Sequence, residues 1–156
     1  MEGNRLTIAP ESFDSSDARA LIASLDAELG ALYPPEQRFG PNFNAEQIEG
    51  GRGTFLIARH GGRAVACGAI RLLDETTAEV KRMYSEPAVR GTGVGRSVLD
   101  KLEVAARGLG VRRLVLETGV YQHAAIALYT RTGFTQVDCW GEYASAPTSV
   151  CYEKNL

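Results

Sequence analysis

The hydrophobic pattern of this chain changes period several times, and each change marks an element. Behind the oxygen-rich stretch Asp14-Ser15-Ser16-Asp17, apolar residues fall at Ala18, Leu21, Ile22, Leu25, Leu29 and Leu32. Steps of three and four trace one helical face, with serine and aspartate oxygens at its start and Pro34-Pro35 at its end. Leu6-Thr7-Ile8 ahead of it reads as a short strand. From Pro34 to Gly53 the chain is rich in Pro, Gly and Asn, which predicts a long surface segment with one helical turn near Asn44 to Ile48. Thr54 to His60 and Arg63 to Leu73 then flank Gly61-Gly62, a two-residue spacing that suits a tight hairpin. A second turn at Asp74 to Thr76 leads into Thr77 to Ser85, completing an antiparallel meander.

The period lengthens again at Val94, Val98, Leu102, Ala105 and Leu109, a helix ending near Gly108 or Gly110. Val111 to Thr118, with Leu114-Val115-Leu116 at its centre, is a buried strand. Ala125, Leu128 and Thr132 mark a short helix stopped by Gly133, and Phe134 to Trp140 and Ser149 to Glu153 finish as strands. Strands on both sides of a strand–helix–strand unit predict an α+β fold with a mixed sheet. At 156 residues the chain is expected to form a single domain over 1–156, with a core large enough to need no staple.

Composition removes several function classes. The net charge is −2, without the basic excess of a nucleic-acid binder. No apolar run approaches the ~20 residues that span a bilayer, and the N-terminal residues do not read as a signal peptide, so a cytoplasmic protein off the membrane is expected. Cys67, Cys139 and Cys151 are odd in number and far apart, with no C-x-x-C pair. They read as buried or free thiols in a reducing compartment, with neither a disulfide framework nor a metal site expected.

Glycine alone is over-represented, at 17 residues, and it is clustered. Arg90-Gly91-Thr92-Gly93-Val94-Gly95-Arg96 runs from a strand straight into a helix. A helix start leaves about four backbone N–H groups without internal partners and carries partial positive charge. Glycines let an anion approach those amides, and Arg90 and Arg96 flank them, so the segment predicts a phosphate or pyrophosphate cradle. No Gly-Lys-Ser/Thr occurs anywhere, which excludes the P-loop. Arg96 stands where the dinucleotide fingerprint needs its third glycine, and meander strands precede the loop, so that motif is set aside too.

These residues resemble the signature of the GNAT family of N-acetyltransferases, R/Q-x-x-G-x-G/A, met directly after a strand ending Met83-Tyr84. A second family pattern, N-x-x-A-x-x-L-Y-x-x-x-G-F, is matched from Gln122 through Leu128-Tyr129 to Gly133-Phe134, with Gln122 where asparagine is usual. The likeness covers roughly residues 5 to 155 and both motifs stand in the family's order and spacing. It implies a mixed, mostly antiparallel sheet of six to seven strands flanked by about four helices. It also implies that acetyl-CoA is the acyl donor, its pyrophosphate on the amides of Gly91 to Arg96 (through Thr92, Gly93, Val94 and Gly95) and its pantetheine arm along Met83 and Tyr84 between two splayed parallel strands. Gln122 takes the place of a further cofactor contact.

Acetylating an amine requires removal of a proton from nitrogen, a hold on the thioester oxyanion, and protonation of the departing thiolate. Glu79 lies on the expected cofactor strand and shares a face with Lys81 and Met83 unless a bulge intervenes, which makes it the expected base. Glu117, at the end of the next strand, competes for that role. Tyr129 stands where the family's tyrosine reaches the thioester sulfur, so the resemblance makes it the expected acid. Helical geometry predicts Leu128 turned into the core and Tyr129 about 100° away, towards the cofactor cleft. His60 and His123 are expected at the surface and Cys67 in the core.

The acceptor is expected over the first helix and the Tyr33 to Asn44 segment, near Arg38, Phe39 and Phe43, closed by the Tyr143 to Ser149 loop with Glu142 and Tyr143. Glu28, Glu36, Glu75 and Glu142 are acidic groups that attract a cationic amine. The reading that follows is acetyl transfer to a primary amine of a small molecule, with no nucleic-acid or membrane partner and association as a homodimer left open. A protein or peptide amine acetyltransferase and a non-catalytic acyl-CoA-binding module are the alternatives.

Overall fold

The computed structural model describes residues 5–34 and 44–156. Its elements run β1 (Leu6–Pro10), α1 (Ser16–Leu32), β2 (Gly53–His60), β3 (Arg63–Leu72), β4 (Thr77–Ser85), α2 (Val94–Gly108), β5 (Arg113–Gly119), α3 (His123–Arg131), β6 (Thr135–Val137) and β7 (Ser149–Asn155). Three short 3-10 turns lie at Ala45–Gln47, Pro87–Val89 and Gly141–Ser145. Seven strands form one sheet in the order β1-β2-β3-β4-β5-β7-β6. Every neighbouring pair is antiparallel except β4 and β5. The mixed, mostly antiparallel sheet is therefore the one the sequence predicts.

Local chemistry accounts for the element ends. Ser15 caps α1, its hydroxyl accepting from the Ala18 amide at 3.1 Å. Gly61 and Gly62 both take positive φ, 55° and 88°, the backbone that a two-residue hairpin between β2 and β3 requires. On one face of the sheet, Val98, Leu99 and Leu102 of α2 pack against Ile70, Ala78, Val80, Leu114 and Leu116. On the other, Ala18 and Leu21 of α1 cover Phe55, Ile57, Cys67 and Ala69.

Two irregularities in the middle of this sheet shape everything that follows. The β3–β4 register slips between Cys67↔Tyr84 and Ala69↔Lys81, and at the slip Arg82 adopts φ 57°. This β-bulge changes the alternation of β4: Met83 joins Val80 on the α2 face, while Tyr84 packs with the α1-side cluster. Glu79, Lys81 and Met83 thus do not share a face. The second irregularity is a fork. β4 and β5 pair only through Thr77↔Arg113, Ala78↔Leu114 and Glu79↔Val115, after which each runs on without the other, to Ser85 and to Gly119.

Cys67 is a buried free thiol, as its apolar strand predicts, and it donates to the Arg82 carbonyl at the bulge over 3.3 Å. Burial pushes that thiol up to about 12. The other two cysteines overturn the sequence reading: Cys139 and Cys151 form a disulfide. They are 12 residues apart with no motif around them, but the antiparallel β6–β7 pairing, Val137 opposite Cys151, brings their Cα atoms to 5.1 Å.

Candidate active site

The glycine loop lies just beyond β4, with Gly95 close to Ser85 at the end of that strand and to Leu128 of α3. Gly91 and Gly93 take φ 81° and 89°, and a β-carbon at either would meet no atom within 4 Å, so the loop presents bare backbone to open space. Gly93 caps α2 without a side-chain hydrogen bond. The amides of Gly93, Val94, Gly95 and Arg96 find no backbone acceptor among the described residues, the first helical bond being Ser97 N–H to Gly93 O. Four donors at the positive end of a 15-residue helix therefore point outward, a geometry that holds phosphate oxygens. Arg96 is exposed beside them. Arg90 is tied back instead, donating to Ser85 O at 2.9 Å and to Glu28 of α1 at 2.7 Å, with its guanidinium over the Tyr84 ring. It fixes the loop against α1.

Deeper in the fork, on the α1 face, lies a buried charged cluster. Glu79 is 1% exposed. Arg71, its cross-strand neighbour on β3, donates Nε and Nη2 to Oε1 at 2.9 and 2.8 Å. Its other oxygen accepts from the Tyr143 hydroxyl at 3.1 Å and lies 3.9 Å from Lys81 Nζ. Lys81 in turn donates to the Tyr143 hydroxyl at 3.3 Å. Burial lowers the Lys81 ammonium from its ordinary value, and the Glu79 charge opposes that shift. Across the fork, Glu117 Oε2 accepts from Ser149 Oγ at 2.6 Å. Burial raises its carboxyl above the usual range, with the Ser149 bond and Lys81 pulling the other way. The charge of Glu117 is felt by Tyr33, Tyr129 and Tyr143, which surround it from three different elements.

Leu128 packs against the core as helical geometry predicts, but Tyr129 is buried in that core as well. Tyr129 is 5% exposed, packed edge-on against Phe134, while Leu128 is half-buried beside Gly95. The Tyr129 hydroxyl has no hydrogen-bond partner among the described residues, and burial raises its pKa well above the ordinary phenol. Gln122 turns its side-chain carbonyl inward, accepting from the Gly119 amide at 2.9 Å and Thr118 Oγ1 at 3.1 Å, which closes the β5–α3 turn. His123 is exposed, and His60 is half-buried at the end of β2.

The acceptor side is walled by aromatic rings. Tyr33, at the end of α1, stacks on Tyr121 with centroids 5.4 Å apart and accepts from the Tyr121 amide at 3.1 Å. Trp140 meets Tyr143 edge-on at 5.5 Å. Glu36, Arg38, Phe39 and Phe43 lie outside the described residues. Arg71 and Ser149 belong to the cluster without any sequence motif to mark them; only their strand register brings them to the two glutamates, whereas Lys81 shares Glu79's face by the alternation of β4.

Comparison with known proteins gives the chain's family. Residues 20–134 match the acetyltransferase (GNAT) family. The chain is 41% identical over 152 residues to an IAA acetyltransferase of Azospirillum brasilense, covering 97% of this chain and 98% of that one. A solved structure from Klebsiella pneumoniae, assigned as an acyl-CoA N-acyltransferase, superposes with a TM-score of 0.84 at 38% identity, over 97% of each chain. The fold also matches PaiA N-acetyltransferase of Thermoplasma acidophilum, solved in complex with coenzyme A, with a TM-score of 0.74 at 16% identity over 97% and 99% of the chains. By the family match over residues 20–134 and the 41% identity over nearly the whole chain, the chain belongs to the GNAT family of N-acetyltransferases.

Proposed function

We propose that this acetyltransferase uses acetyl-CoA to acetylate a primary amine of a small molecule, by direct transfer in the β4–β5 fork. One observation carries the reading: the outward amides of Gly93 to Arg96 stand at a helix start just beyond β4, the strand that carries Glu79 and parts from β5 there. Bound there, acetyl-CoA supplies an activated thioester carbonyl. The loop amides, with Arg96, hold the pyrophosphate. The free edge of β4 beyond the bulge, at Met83 and Tyr84, pairs with the amide groups of the pantetheine arm, and a backbone N–H there faces the thioester oxygen.

Glu79 and Glu117 are the two carboxylates able to take the amine proton. Both Glu79 oxygens are occupied, by Arg71 on one side and by Tyr143 and Lys81 on the other. Glu117 keeps one oxygen outside its Ser149 bond, and burial makes it more basic than an ordinary carboxylate. The base role therefore passes to Glu117, with Glu79 holding Arg71 and Lys81 in place. Tyr129 stays protonated across the working range because burial raises its pKa, so its hydroxyl serves as a hydrogen-bond donor to the leaving sulfur.

Isothermal titration with acetyl-CoA, followed by thiol release against a panel of small primary amines, tests the reading. IAA is tested beside the amines, as an acceptor of a different chemical class, because the 41%-identical relative carries its name. Acetyl-CoA should bind, and Gly93→Val should weaken binding at least tenfold, because a branched side chain at φ 89° fills the approach to the amides. Unchanged affinity in a folded Gly93→Val protein overturns the cradle. Thiol release with peptide amines alone overturns the small-molecule acceptor, and binding without release for any acceptor leaves a non-catalytic module.

A further inference from the structure

The Gly141–Ser145 turn closes the fork over Glu79, yet its own anchoring is thin. Its backbone bonds are local: Tyr143 N–H to Trp140 O, Ala146 N–H to Tyr143 O, Ser149 N–H to Ala146 O. Among the described residues, the one long-range backbone bond of the 138–148 segment is Val120 N–H to Thr148 O, at its far end. At the near end the tie is covalent. Cys139 precedes Trp140, and its disulfide reaches Cys151 on β7, in register with Glu117. The loop that the disulfide closes therefore contains the whole turn. Tyr143, 4% exposed, is the side chain it delivers, donating to Glu79 and accepting from Lys81.

We propose that the Gly141–Ser145 turn is a lid on the acceptor side of the fork, fastened by the Cys139–Cys151 bond, and that Tyr143 is its positioning residue, holding Lys81 and Glu79 in their closed arrangement. This rests on the acetyl-transfer reading for what the lid covers. A dithiol reductant opens it. Its thiolate attacks the sulfur of half-buried Cys139, since Cys151 is fully buried, and the S–S bond breaks with Cys151 leaving as a thiolate that takes up a proton. The second thiol of the reductant then attacks the mixed disulfide, freeing Cys139 and closing the reductant into a cyclic disulfide. Two electrons pass from the dithiol to the protein. The segment then keeps its local bonds, its far-end tie and the Tyr143 hydroxyl contacts with Glu79 and Lys81, which are all that local opening has to break.

Trace acetylation of lysines with acetic anhydride, read by peptide mass spectrometry, measures the lid directly. Dithiothreitol should raise labelling of Lys81 about fivefold or more, with exposed Lys101 on α2 unchanged, as expected for local opening. Reoxidation should restore protection, and the emission of Trp140, the single tryptophan, should shift to longer wavelength on reduction and return. Cys139→Ser should label like the reduced protein with no response to dithiol. If that variant fails to fold, the reversible cycle of the wild-type protein decides. Tyr143→Phe keeps ring and disulfide and should still raise Lys81 labelling, because only the hydroxyl is lost. Unchanged Lys81 labelling on reduction overturns the lid; unchanged labelling in Tyr143→Phe overturns the positioning role. With any amine that passes the thiol-release screen, reduction should lower kcat and leave the KM for acetyl-CoA unchanged, and an equal kcat counts against the proposal. If no amine passes, the acetyl-transfer reading fails while Lys81 labelling still decides the lid.

Discussion

Glu117 shows what burial does to a single carboxyl. Its pKa is raised in the folded protein, so folding favours its protonated form. The stability this contributes is complete below the ordinary carboxylate range and is lost as pH rises through the raised value. Glu117→Gln, which still accepts from Ser149, should therefore be more stable than wild type at neutral pH and similar in acid, as urea unfolding at two pH values would show. The same substitution should lower kcat by about 10²–10⁴-fold and abolish the rising limb of the pH–rate profile, if Glu117 is the base. An unchanged limb returns the role to Glu79 or to a water chain. Gly119 is the other residue where one atom matters. A β-carbon there would lie 1.8 Å from the Tyr33 hydroxyl oxygen. Gly119→Ala should push Tyr33 off Tyr121 and destabilise the protein by about 1–3 kcal/mol, measurable as a lowered urea midpoint.

Among the elements, β4 carries the most consequence. Its periodicity is visible in the sequence, but the bulge at Arg82 is not, because nothing in Lys81-Arg82-Met83 signals a left-handed residue. The conformation is held from outside, by Asp26 on the guanidinium at 2.7 Å and by the Cys67 thiol on the carbonyl. Arg82→Ala and Arg82→Gly both lose the Asp26 bond, so their difference isolates the backbone. Glycine should be the more stable of the two by about 1 kcal/mol in chemical denaturation, since it alone adopts φ near 57° without strain. Equal stabilities would mean that the bulge relaxes when the side chain is removed. The bulge also explains why the alternation rule misassigned Met83: one extra residue reverses every face beyond it.

At the scale of the whole molecule, the disulfide joins β7, between β5 and the edge strand β6, to the segment over the fork. Closing a loop of this length removes unfolded-chain entropy worth about 3 kcal/mol. Reduction should lower the unfolding free energy by about 2–3 kcal/mol, read from urea curves with and without dithiothreitol, on the same loop-entropy argument. Identical curves would mean that the cross-link constrains the folded and unfolded chains alike. Among the described residues no helix is long and apolar enough to cross a membrane. The forked sheet and its two helical layers bring residues from β3, β4, β5, β7 and the end of α1 within reach of one cleft.

Local periodicity and turn chemistry by themselves determined the order of strands and helices, the Gly61-Gly62 hairpin and the bare helix start at Gly93, because each depends on residues only a few positions apart. The family likeness was legible for the same reason: both of its motifs are contiguous. The tertiary structure decided the rest. Arg71 meets Glu79 through strand register, Ser149 meets Glu117 across β5 and β7, and Tyr143 reaches Glu79 from 64 residues away. Cys139 finds Cys151 only once β6 and β7 have paired. Tyr129 joins Leu128 in the core because Phe134, beyond the end of α3, packs on its ring, a contact that the helix's own periodicity does not contain. Pairings between distant segments depend on register and packing, which no local pattern of hydrophobic and polar residues contains.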